Sequence, residues 1–183
     1  MRIISGTARG TKLYTLEGQI TRPTLDRVKE SLFNIIQKEI PNSTFLDLFS
    51  GSGAIGLEAA SRGAKKVILC DKAKEAIRII NKNIEKTHLK EKIELYNLDY
   101  EIVINTKLNE KIDIVYIDPP YHSDFAIKSV ELLIKNNQID RNTTIIIETD
   151  EEEKMIQELK KMKIEITNTR KYGRATLIFL HII

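Results

Sequence analysis

A single cysteine, Cys70, is all that the 183 residues contain, so no disulfide forms within the chain and a stapled secreted scaffold is excluded. Long apolar runs are missing as well. The stretch Thr144 to Ile147 falls far short of the roughly 20 residues that span a bilayer, and no secretory leader is read at the start. A soluble protein of the reducing cytoplasm is therefore expected, with Cys70 as a small core residue. Several catalytic patterns are absent too. No G-x-x-x-x-G-K-[ST] loop occurs, Ser50 and Ser52 do not form G-x-S-x-G, and no Cys/His cluster has zinc spacing, so no metal site is expected. The histidines, His88, His122 and His181, are scattered, and His122 is read as a surface residue.

No repeat, low-complexity tract or long linker divides the chain. One domain is expected over residues 1–183, with a basic hairpin and helix at 1–40 extending a core at 41–183. The charge balance is nearly even, 29 Lys and Arg against 26 Asp and Glu, but it is unevenly placed. Residues 1–30 hold six basic side chains (Arg2, Arg9, Lys12, Arg22, Arg27, Lys29) and three acidic ones, which leaves 23 of each sign elsewhere. The whole excess thus sits at the N-terminus, as an electrostatic footprint for a polyanion would.

Strand-like and helix-like segments alternate from residue 44 onward, which predicts a parallel α/β sheet with crossover helices. Strands are expected at 44–49, 67–70, 92–97, 112–117 and 143–148. Helices are expected near 54–63, 73–87, 124–137 and 151–162. The runs 164–169 and 175–182 leave no room for a helix between them and should pair as an antiparallel hairpin at the sheet's edge. Ahead of the sheet, residues 1–17 read as a small basic hairpin around Gly6 to Gly10. A helix from about Thr24 to Glu39 follows, burying Val28, Leu32, Ile35 and Ile36. Five βα units closed by a hairpin differ from a dinucleotide dehydrogenase half and resemble the fold of S-adenosylmethionine-dependent methyltransferases.

Gly51-Ser52-Gly53-Ala54-Ile55-Gly56 matches G-x-G-x-x-G after a strand and at a helix start, where glycines permit a tight turn and a ligand's close approach. Asp71 closes the second strand 20 residues after Gly51, where a carboxylate can take both hydroxyls of a ribose. Those features fit a nicotinamide dinucleotide equally well. Asp47 separates the two, because it puts negative charge where a dinucleotide would place its pyrophosphate and favours the cationic amino group of a methionine moiety instead. Asp99 closes the third strand and can accept a hydrogen bond from an adenine amino group. Each acid also has a plain structural reading: Asp47 as a loop cap, Asp71 and Asp99 as caps of the helices that follow.

Asp118-Pro119-Pro120-Tyr121 follows a fourth apolar strand. Two prolines hold the backbone extended and carry no N–H, leaving nearby carbonyls free to accept. Asp118 and such a carbonyl can grip an NH2 group while Tyr121 stacks on the ring that bears it. Three acids thus close successive strands with Asp47 beside them, at the carboxyl ends where open α/β sheets bind ligands.

These residues resemble a known family, the bacterial small-subunit rRNA guanine-N2 methyltransferases of the RsmD type. The likeness runs nearly the whole length. It includes Arg2-Ile-Ile-Ser-Gly6 with Arg9-Gly10 and Lys12-Leu13, then Arg22-Pro23-Thr24-Leu25-Asp26-Arg27-Val28, the glycine loop and Asp118-Pro119-Pro120-Tyr121. Lys29 stands where the family usually has Arg, and Tyr121 where some members carry Phe. The resemblance implies S-adenosylmethionine as cofactor, held by Asp47, Gly51, Gly53, Gly56, Asp71 and Asp99, and N2-methylguanine in 16S rRNA as product. It implies rRNA contact through Arg2, Arg9, Lys12, Arg22, Arg27 and Arg174, in the assembling or assembled small subunit, by a monomer away from membranes. Two alternatives stay open: a DNA adenine-N6 methyltransferase, which shares the Asp-Pro-Pro-Tyr turn, and a non-catalytic module of the same fold that binds RNA.

Overall fold

The computed structural model describes residues 1–16 and 23–183, with the main chain alone at 23–25. Among the described residues seven strands form one sheet: β1 (Thr44–Asp47), β2 (Lys66–Cys70), β3 (Ile93–Tyr96), β4 (Ile114–Ile117), β5 (Thr144–Thr149), β6 (Ile164–Tyr172) and β7 (Ala175–Ile182). Their order is β3-β2-β1-β4-β5-β7-β6. The first five are parallel, and β7 runs antiparallel between β5 and β6. The expected hairpin therefore forms, with β6 at the edge and β7 inside.

Six α-helices among the described residues cover the sheet: α1 (Pro23–Ile35), α2 (Ala54–Ser61), α3 (Lys74–Thr87), α4 (Tyr100–Thr106), α5 (Phe125–Lys135) and α6 (Glu152–Leu159). Alternation along the central strands divides them into two layers. Phe45, Val67, Leu69 and Tyr116 point to one face, where they meet Val28, Leu32 and Phe33 of α1, Leu57 of α2 and Ile80 and Ile84 of α3. Leu46, Ile68 and Val115 point to the other, against Val103 of α4, Val130 of α5 and Leu159 of α6. Helix α1 stops at Ile35 rather than at Glu39, and the chain turns through residues 36–39 before Pro41, which keeps Ile40 extended. Strand β1 likewise ends at Asp47, where the chain turns into the glycine loop.

The N-terminal hairpin is slight, with one bridge between Arg2 and Lys12, and it is docked on α2 rather than self-supporting. Its anchor is Glu58, fully buried on α2. Glu58 accepts from the amides of Ile4 (2.8 Å) and Ser5 (3.0 Å) and pairs with Arg62 (2.7 Å) and Lys29 (3.2 Å). Beside it Ser61 accepts from the Thr7 amide through its carbonyl and from the Ala8 amide through its hydroxyl, each at 2.9 Å. Gly6 lies so close to this turn that a Cβ there would sit 1.9 Å from the Ser61 carbonyl oxygen, and its φ of +85° is one that L side chains rarely adopt. Farther on, Asn83 of α3 brackets Tyr14, accepting from its N–H at 2.8 Å and donating to its carbonyl at 3.0 Å. The same amide donates to the Ser52 carbonyl at 2.9 Å, so the N-terminal segment is tied to the glycine loop.

Candidate active site

The carboxyl ends of β1, β2, β4 and β5 converge on one edge, and the acids that close them define the site. Asp47 is 1% exposed, and neither of its carboxylate oxygens has a hydrogen-bond partner among the described residues. Burial pushes its carboxyl up to about 7. The amides of Gly56 and Phe49 and the Ser50 hydroxyl face it from too far or too obliquely to bond, yet they moderate the rise that the neighbouring Asp71 charge adds to. A buried carboxylate with no donor is a costly arrangement that a bound cation would relieve.

The loop above Asp47 is built for close approach. Gly53 opens α2 with φ +77°, whereas Gly56 faces the core and not the crevice: a Cβ there would stand 2.2 Å from the Leu69 side chain, so this expected cofactor contact instead lets the β2 side chains pack on the helix backbone. Ser50 binds both strands, donating to the Asp47 carbonyl (2.9 Å) and accepting from the Cys70 amide (3.0 Å). Cys70 itself is buried, which pushes its thiol up to about 12 and leaves it inert at neutral pH.

Asp71 joins the two ends of this crevice. One of its oxygens accepts from the Gly51 amide at 2.9 Å and the other from the Ala73 amide at 2.8 Å, so it braces the loop before any ligand is considered. Asp99 caps α4, accepting from the Glu101 amide at 3.0 Å. Carboxylate oxygens carry two lone pairs each, so both residues retain acceptor capacity toward the crevice. Next to Asp99, Phe49, Tyr100 and Phe125 form an aromatic cluster with ring centroids 5.2 to 6.3 Å apart.

Asp118, Pro119, Pro120 and Tyr121 line a cavity of about 210 Å3, together with His122, Glu148, Arg174 and neighbours from the start of α6. Tyr121 is 73% exposed at its lip. The Pro120 carbonyl accepts from the Ser123 hydroxyl at 2.7 Å, while no described donor engages the Pro119 carbonyl. His122 is exposed, as expected, and lines the cavity with Nδ1 3.4 Å from Glu151.

Glu148 is the residue that sequence reasoning passed over. It stands one residue before the end of β5, beside the point where Asp118 follows β4, and Tyr116 in β4 donates its hydroxyl hydrogen to Glu148 Oε2. Burial pushes the Glu148 carboxyl up, and the Tyr116 hydrogen bond opposes that rise. The Asp118 carboxyl stands well above the usual carboxylate range, first through desolvation and then through the charges of Glu148 and Asp47. Although surrounded by protein at longer range, Asp118 is exposed by surface area on its cavity side, where water screens part of that effect. The site therefore presents two adjacent acceptors in competition for charge, with Arg174 opposite them.

Of the expected RNA contacts, Arg2, Arg9, Lys12 and Arg27 are exposed, and Arg174 stands at the cavity instead of with the N-terminal group. Arg22 lies outside the described residues. Lys29 leaves the footprint altogether: it is 1% exposed, pairs with Glu58, and has its pKa lowered by burial.

The family model described as "Conserved hypothetical protein 95" matches residues 1–181. The chain belongs to this family. Among the family's relatives, "Ribosomal RNA small subunit methyltransferase D" of Haemophilus influenzae is 38% identical over 158 residues, covering 85% of this chain and 82% of that protein. The "Putative rRNA methyltransferase YlbH" of Bacillus subtilis is 33% identical, covering 83% and 84%. A solved putative methyltransferase from Escherichia coli superimposes with a TM-score of 0.83 at 27% identity, covering 100% of this chain and 97% of its own. Family and fold together make the chain a methyltransferase.

Proposed function

We propose that this methyltransferase acts on small-subunit rRNA, moving a methyl group from S-adenosylmethionine to the N2 amine of a guanine in 16S rRNA. Membership in the family, with relatives named for small-subunit rRNA methylation, supports the substrate class. The observation that carries the choice of base is that Asp118 and Glu148 open onto one cavity. Guanine presents only donors on the edge concerned, N1–H and the N2 amine, and two acceptors meet them. Adenine would turn its N1 acceptor toward the second carboxylate, which Tyr116 helps hold in its charged form.

The residues present fit the cofactor. The unpartnered oxygens of Asp47 suit its ammonium group, the open space at Gly51 admits it to the backbone with Gly53 supplying the turn, and Asp71 and Asp99 suit the ribose hydroxyls and the adenine amino group. When bound, S-adenosylmethionine supplies an electrophilic methyl on a sulfonium. Asp118 and the Pro119 carbonyl take the two N–H hydrogens of the acceptor amine, turning its lone pair away from the ring toward the donor. Tyr121 stacks on the base and replaces the stacking lost on leaving the RNA. Asp118 then holds the proton that the methylated nitrogen sheds. Holding the partners in attack geometry contributes several kcal/mol, on the order of the lower end of known effective-molarity gains.

No helix among the described residues is long and apolar enough to cross a membrane. We place the protein in the cytoplasm as a monomer whose substrate is the assembling or assembled subunit. The test is incubation with labelled S-adenosylmethionine and, separately, unmethylated small subunits, stripped rRNA and duplex DNA, followed by nucleoside analysis. N2-methylguanosine is expected from the particle; N6-methyladenine in DNA would hand the function to the adenine-specific alternative.

A further inference from the structure

Four basic side chains stand four residues apart on α3, Lys74, Arg78, Lys82 and Lys86, and all are exposed. At about 1.5 Å of rise per residue they are strung over about 18 Å of helix. None forms an ion pair with another described residue. The helix's two acids, Glu75 and Glu85, are exposed as well and leave the cations in the majority.

The stripe has a definite place. Its first residue follows Asp71 by three positions, at the mouth of the crevice, and its far end carries Tyr14, which is 48% exposed. The Tyr14 ring lies 4.5 Å from Lys86 Nζ and 5.9 Å from Lys82 Nζ, measured to the ring centroid. Nor is the ring's position accidental, since buried Asn83 grips both backbone groups of Tyr14 and the glycine loop together. Regular cations along a ridge, ending in a fixed and half-exposed aromatic ring that the last two lysines overlie, are what a nucleic-acid strand recognises: phosphates draw the cations and a base stacks on the exposed part of the ring. Neither cofactor binding nor methyl transfer, as derived above, calls on any of these five side chains.

We infer that α3 and Tyr14 form a track for single-stranded RNA that leads the substrate strand to the mouth of the site. The inference rests on the reading of rRNA as substrate and names the surface that holds it, distinct from the N-terminal cations. The experiment measures binding of stripped 16S rRNA across a salt series by the natural chain, by K74Q/R78Q/K82Q/K86Q, by Tyr14→Ala, and by a control, K107Q/K135Q/K160Q/K163Q, that lowers net charge equally at exposed sites elsewhere. The α3 variant is expected to bind at least about a hundredfold more weakly at low salt and to flatten the salt slope by about 0.7 to 0.9 per lost contact. Tyr14→Ala should weaken binding severalfold without changing the slope, and the control should do little. Unchanged melting temperature and S-adenosylmethionine affinity would show that each variant folds. Equal losses in the two quadruple variants would reduce the effect to net charge and overturn the track. So would normal binding of stripped rRNA with a loss seen on the assembled particle alone, which would assign the stripe to a ribosomal protein. A natural chain that bound neither stripped rRNA nor the small subunit would instead sink the substrate reading on which the inference rests.

Discussion

Lys29 Nζ lies 3.2 Å from Glu58 Oε2, with 2% of one side chain and none of the other exposed to solvent. Lys29 also donates to the Arg2 carbonyl, so the pair joins α1, α2 and the N-terminal strand of the hairpin. Lys29→Met removes one partner and leaves a buried carboxylate undercompensated. A loss of about 3 kcal/mol in stability is expected, read from urea unfolding. A change under about 0.5 kcal/mol would mean that Arg62 and the two amides satisfy Glu58 without help.

Gly6→Ala tests the docking of the hairpin without touching charge. A methyl group 1.9 Å from the Ser61 carbonyl oxygen forces the loop off α2. The variant should keep S-adenosylmethionine affinity and lose most rRNA methylation, because the exposed cations Arg2, Arg9 and Lys12 move with the loop. Undiminished methylation by a folded variant would remove the hairpin from RNA recognition.

Asp47 sets stability against binding. Its folded pKa of about 7 exceeds the ordinary value of 3.8, so the folded chain binds the extra proton. Relative to a neutral isostere, the carboxyl costs nothing below about pH 4, and the penalty grows as pH rises to about 7, reaching about 4 kcal/mol. Asp47→Asn should therefore raise the melting temperature at pH 8 and leave it nearly unchanged at pH 4, while weakening S-adenosylmethionine binding in calorimetry. Affinity of the natural chain should rise with pH between 6 and 8, as the cation's partner ionises. A melting temperature lowered at pH 8 would contradict an unpartnered anion at this position.

Asp118 and Glu148 are expected to separate in kinetics. Asp118→Ala should abolish transfer with cofactor affinity nearly intact, and Tyr121→Phe should be milder than Tyr121→Ala because the stacking face remains. Glu148→Gln keeps the shape and the bond from Tyr116 but weakens an ionic hydrogen bond to the base, worth about 1.5–3 kcal/mol. The expected loss in kcat/KM on guanine substrates is about 10- to 100-fold, with some rise in transfer to adenine-bearing competitors. Equal turnover of Glu148→Gln and the natural chain would show that Asp118 reads the base alone.

The strands, their order of chemistry and the Asp-Pro-Pro-Tyr turn were legible because buried parallel strands are short apolar runs and each ends in a recognisable acid or glycine turn. Glu148 obeys the same rule as Asp71, Asp99 and Asp118. It went unweighed because its significance depends on β4 and β5 being neighbours, which periodicity along one segment does not disclose. Lys29 was counted as surface charge since nothing local marks a lysine whose partner lies 29 positions away. The α3 stripe escaped for the opposite reason: a tally of 23 against 23 beyond residue 30 averages away what a four-residue interval concentrates on one ridge.

Strand β7 is made after β6, yet it enters the sheet between β6 and β5. Until it arrives, β5 presents a bare edge of Ile145, Ile146 and Ile147 to its surroundings, the kind of edge that other chains can extend. During synthesis the last of the five parallel strands to gain its second neighbour is thus the one that carries Glu148. The chain assembles its glycine loop from early segments and completes its acceptor pocket only when the hairpin closes, so the second half of the site doubles as a report that the sheet is finished.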